Sequence, residues 1–127
     1  LLLRAPALPV PLAIPLIYQV ALEGFTEKEG LITASINTTF QDGPISAAPL
    51  EGANIHLGRA ITSALRLGEI AFLDHSVTWL NGLLANHNHS SNLARIYFKA
   101  YQQAVEQHLG DQAKPVLDWL AGVNITS

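Results

Sequence analysis

The chain contains no cysteine and no methionine. Lack of cysteine excludes disulfides, thiolate metal sites and a cysteine nucleophile. Methionine is missing even from the first position, which fits a fragment of a longer protein. Charge is scarce as well. Only 13% of the 127 residues are Asp, Glu, Lys or Arg, about half of the roughly 25% usual in soluble domains. A lone copy with so few charges covers its surface poorly, so burial in a homodimer or against a partner protein is expected. The seven Lys and Arg are scattered and the net charge is −3. Direct contact with nucleic acid is therefore not expected. Catalytic signatures are also lacking. No strand-turn-helix elbow surrounds any serine, and the acidic residues show no fixed close pairing. The expectation is a protein that is not an enzyme.

Hydrophobic residues make up 49% of the chain. That is enough for one real core, and the length is that of a single domain. Leu1 to Leu22 is almost uncharged, with Arg4 as its only ionic residue. Pro6, Pro9, Pro11 and Pro15 interrupt it, and each removes a helix hydrogen bond or kinks the segment. A membrane span or signal peptide is accordingly not expected, and the location is expected to be cytoplasmic. Residues 1–15 read instead as an extended apolar arm lying on a core or a partner.

The strongest periodic signal is in residues 90–110. Leu93, Ile96, Tyr97, Ala100, Tyr101, Ala104, Val105 and Leu109 keep the i, i+3, i+4, i+7 rhythm of an amphipathic helix. Gly110 stands where a left-handed C-cap belongs. Two further helices precede it. One is capped by Asn54, carries Leu57, Ile61, Ala64 and Leu65 and ends near Gly68. The other is capped by Asp74, carries Val77, Leu80, Leu83 and Leu84 and ends around residues 86–89. After Gly110, Asp111 starts a last short helix with Val116, Leu117, Trp119 and Leu120. Pro115 is tolerated there because it falls near the first turn. The fold expected is mostly α: a four-helix bundle over residues 54–127, with short connections making successive helices antiparallel.

Residues 1–53 read less regularly. Residues 16–23 suggest a short helix ending at Gly24, and Thr26 to Glu29 has the form of a capping box. Ile32, Ala34, Ile36, Thr38 and Phe40 alternate with polar neighbours, which favours a strand. Ile32, Ile36 and Phe40 are equally four apart, as on a helix. Residues 41–53 have turn and linker chemistry.

Imidazoles and aromatics are the candidate functional groups. His87 and His89 flank Asn88, with His75, His56 and His108 further away. Imidazole can ligate zinc, iron or haem. An i, i+2 pair diverges on a helix but can converge in a loop, which gives a small tetrapyrrole- or metal-binding protein as the alternative function. Asp74, His75, Ser76 and Ser90 are close in sequence, but Asp74 is accounted for as a cap. Trp79, Tyr97, Tyr101 and Trp119 lie on or beside the apolar faces of three helices. They serve either as core or as a surface on which a flat ligand stacks.

The run from His56-Leu57 through Phe72-Leu73-Asp74-His75-Ser76-Val77-Thr78-Trp79 and Leu83-Leu84 to the long amphipathic helix has a family likeness. Over about residues 54–122 it resembles the small helical-bundle module of cobalamin-dependent, light-sensing bacterial regulators, which precedes their vitamin B12-binding domain. In that family the bundle caps the upper face of the corrin and carries a Trp, nine residues, then Glu-His. Here Trp79 is followed after nine residues by His89 and Ser90. The Glu is absent, and so is the family's second domain with its lower-ligand motif. The resemblance implies a sensory or regulatory module acting through ligand- or partner-gated association. Cobalamin or another tetrapyrrole would meet Trp79, His89, Tyr97 and Tyr101.

Overall fold

The computed structural model describes residues 14–88 and 92–123. Among these residues five α-helices occur: α1 (Leu16–Thr39), α2 (Ala47–Leu67), α3 (Asp74–Asn88), α4 (Asn92–Leu109) and α5 (Lys114–Gly122). Short 3-10 turns, Ile70–Leu73 and Gly110–Ala113, lead into α3 and α5. The chain is an all-α bundle, and the helices expected from residue 54 onward are α2 to α5. Of the expected arm, residues 1–13 lie outside the described residues.

The segment before residue 54 departs from its expected form. It is one long helix, with no strand among the described residues. Ala21, Phe25, Ile32 and Ile36 are its buried apolar side chains, so the spacing of four prevails over the alternation. Magnitudes explain the outcome. Each β-branched residue costs a helix a few tenths of a kcal/mol. Full burial of an isoleucine is worth about 1.5–3 kcal/mol, and both Ile32 and Ile36 are fully buried. Thr38 and Thr39 donate their hydroxyl protons to the carbonyls of Ala34 and Ser35, both at 3.0 Å, which satisfies them within the helix.

Gly24 and the Thr26 to Glu29 box do not mark helix ends. α1 runs through both, and Gly24 is where the Gln112 side chain crosses it. A Cβ on Gly24 would lie 2.6 Å from the Gln112 amide. The expected linker over 41–53 is shorter than its composition suggests, because α2 begins at Ala47. Pro49 falls in its first turn, where no amide proton is needed. Asn54 is consequently not a cap but a buried residue inside α2.

The helix stops expected at glycine are confirmed. Gly68 and Gly110 have φ of 70° and 54°, a left-handed backbone that a side chain makes costly. Asp74 does open α3, but its carboxylate accepts a hydrogen bond from Trp119 Nε1 at 2.8 Å, tying α5 to α3.

α1 packs along both α2 and α4, α3 rests on α2 and α4, and α5 closes the far side of α4. Tyr97, Tyr101 and Val105 of α4 are buried together at the centre. Among the described residues no helix is long and apolar enough to cross a membrane. Placing a charge at either end of this core should be severe. Val105→Asp and Ile36→Asp are each expected to lower the unfolding free energy by about 3 kcal/mol in urea denaturation. Parent-like unfolding of Ile36→Asp would restore an irregular first segment.

Candidate functional site

A groove of about 610 Å³ opens between α2 and α3, within the size range of small-molecule sites. On α2 its wall is Gly52, Ile55, His56, Arg59, Ala60 and Ser63. That spacing of three and four is one stripe of a helix. Opposite stand Phe72, His75, Ser76 and Trp79, a matching stripe from the 3-10 turn and the first turns of α3. Gly52, Ala60 and Ser63 are small, which keeps the floor open.

The groove's main feature is an aromatic pair. The His56 and Trp79 rings stack with centroids 4.1 Å apart and planes 17° from parallel. His56 Nε2 and the Ser76 hydroxyl share a hydrogen bond of 3.2 Å. Ser76 is only 5% exposed, so it fixes the imidazole from below. Trp79 keeps 48% of its surface exposed. Phe72 meets His75 edge to face at 6.4 Å and is also exposed. Partial burial holds the His56 pKa below its ordinary value, so the imidazole is neutral near pH 7. No carboxylate among the described residues lines the groove. The serine–histidine pair therefore lacks the third, orienting group of a nucleophilic triad.

Of the sequence-derived site residues within the described part of the chain, the structure separates Trp79 from Tyr97 and Tyr101. Trp79 is at the groove. Tyr97 and Tyr101 are core residues, essentially without exposure, and they do not line the groove. The Tyr97 hydroxyl donates to Asn54 Oδ1 at 2.8 Å. Burial raises the pKa of both phenols well above the ordinary range, with the Tyr101 phenol acting on Tyr97 and the Glu29 charge on Tyr101. His87 falls in the last turn of α3, and His89 lies outside the described residues. Among the described residues no three His, Cys, Asp or Glu side chains are grouped to hold a metal. His108 is occupied elsewhere, sharing a 2.9 Å hydrogen bond with Ser35.

Sequence reasoning passed over Arg59, Phe72 and the His56–Ser76 bond. The stripe 52, 56, 59, 63 was the available signal, but it reads as an ordinary solvent face until α3 is laid beside it. The chain matches no protein-family model, no curated protein and no solved structure.

The ionisation of His56 tests this geometry. Its ring protons, followed by NMR across pH 4–8, should titrate with a midpoint below 6.5, the ordinary value. The unfolded chain then binds this proton more readily than the folded one. The contribution of His56 to stability is fully present above the unfolded value and is lost as pH falls through the folded one. A midpoint at or above the ordinary value would mean an imidazole that is solvated and not packed against Trp79.

Proposed function

We propose that this chain is a non-enzymatic sensory or regulatory helical module. A flat ligand stacks on Trp79 in the α2–α3 groove and gates association with a second copy or a partner protein. The observation that carries the reading is the half-exposed indole held parallel to His56. A freely rotating surface tryptophan pays an ordering cost when a ligand stacks on it, whereas this one is already oriented. A tryptophan side chain offers about 150–250 Å², so covering its exposed half buries about 100 Å². At about 25 cal/mol/Å² that is worth about 2.5 kcal/mol, nearly two powers of ten in affinity.

Residue likeness makes cobalamin, or another tetrapyrrole, the first ligand to try. The association surface in this reading is α1, which exposes Leu16, Ile17, Val20 and Leu31. Exposed apolar side chains grouped on one element favour an interface. A cytoplasmic, bacterial setting belongs to the same reading.

The test is a titration with a cobalamin and, separately, haem, read by tryptophan fluorescence and light scattering on the same samples. Saturable quenching is expected, absent in Trp79→Phe and accompanied by a change in mass. Trp119 serves as the internal control, since its indole is bonded to Asp74 and its ring edge packs on Phe98 at 6.0 Å. Unchanged fluorescence and mass with both compounds would contradict the proposal.

A further inference from the structure

We infer that the ligand of the α2–α3 groove is a planar aromatic anion, its ring against Trp79 and its acidic group on Arg59. This rests on the reading above that a flat ligand stacks in the groove; it adds the ligand's charge and narrows the ligand to a compact aromatic acid in place of the tetrapyrroles that residue likeness suggests.

The lining carries the argument. Its ionisable side chains are Arg59, His56 and His75, and no Asp or Glu among the described residues joins them. Burial lowers the His56 pKa, and Arg59 is the permanent charge of the groove. Its guanidinium presents five donors in a planar fork suited to a carboxylate, sulfonate or phosphate. Among the described residues none of these donors is used: Arg59 makes no hydrogen bond, and the ion pair present is Lys114 with Asp118. Arg59 also borders a shallow depression shared with Glu29, yet the two form no salt bridge. The exposed guanidinium thus stands beside the cavity, with no hydrogen-bond or ion-pair partner among the described residues.

Spacing supplies the second half. Arg59 is one turn along α2 from His56, so their Cβ atoms lie about 5–6 Å apart on one wall, with the stack and the cation side by side. A one- or two-ring aromatic with an acid on a short arm spans that distance. Ser63 follows at i+4 from Arg59 and adds a hydroxyl donor on the same stripe. Ser76 is committed to His56 and adds none.

Three probes with the same ring separate charge from stacking: 2-naphthoate, 2-naphthamide and 2-naphthylmethylammonium. Each is titrated into the full chain and followed by the Trp79 indole N–H signal in ¹⁵N NMR. The naphthoate should bind about tenfold tighter than the other two, the gain of one charge-assisted pair. In Arg59→Gln that advantage should vanish, leaving the three probes with similar affinity from stacking alone, and the Trp79 indole signal still shifts on binding. Equal binding of the three probes, tightest binding of the ammonium, or an advantage that survives Arg59→Gln would overturn the anion inference and leave the groove standing. No shift at Trp79 with any probe at millimolar concentration would overturn the groove reading, and the inference with it.

Discussion

One hydroxyl group orders this bundle. Tyr97 is at the middle of the buried face of α4, and its phenolic proton has no route to water. An unmade hydrogen bond there would cost about 1–3 kcal/mol. Asn54 of α2 accepts the proton at 2.8 Å, and the Asn54 amide in turn donates to Asn37 of α1 at 3.3 Å. Three helices are thereby joined by one polar chain. A slide of α2 or α4 by one turn would strand the Tyr97 hydroxyl and the Asn54 side chain, and a slide of α1 would strand the Asn54 amide. The surrounding apolar packing, from Ile32, Ile36, Leu57, Ile61, Tyr101 and Val105, supplies most of the favourable free energy. It is non-directional and would tolerate several registers. The polar chain selects one of them.

The candidate site follows from that register. Asn54 faces inward, so Ile55 and His56 turn toward the next groove, and Arg59 and Ser63 follow on the same stripe. α3 closes the groove because Leu73, Leu80 and Leu84 are buried in the same core. Its outward residues, Phe72, His75 and Trp79, are left on the rim. Core packing on one side of α2 and α3 thus preorganises the other side. Ser76 completes the arrangement by fixing His56. The wall offers a stacking plane, a guanidinium, imidazoles and hydroxyls on facing stripes of two helices.

Local features were legible wherever a single residue suffices. Gly68 and Gly110 announce left-handed stops, and the α4 rhythm is too long to be anything else. α1 was hidden because its residues satisfy two periods. Ile32, Ile36 and Phe40 fit spacings of both two and four, and Gly24 with Thr26 and Glu29 imitates a helix boundary. What decides between them is non-local: α4 and α2 offer a continuous buried face, and Gln112 fills the notch at Gly24. Asn54 was misread for a related reason. An asparagine before an apolar run usually caps a helix, and only a tyrosine 43 positions away makes it a core residue. The groove was half visible. Trp79 was recognised as a stacking surface, but its partner His56 is 23 positions distant, across a turn. The two tyrosines grouped with it in sequence are buried at the centre of the core, away from the groove lining.

The α2–α3 groove, with Trp79 already stacked on His56, is proposed as a preformed stacking site of this bundle. The most direct measurement is an unbiased one: a library of planar aromatic fragments screened against the ¹⁵N-labelled full chain, with backbone shift changes mapped onto the fold. The account predicts that the responding amides cluster on Ile55 to Ser63 and Phe72 to Trp79. Changes spread evenly over the helices, or gathered in a second cleft of about 900 Å³ that α1 and α2 form around Thr33, Asn37 and Leu50, would contradict it.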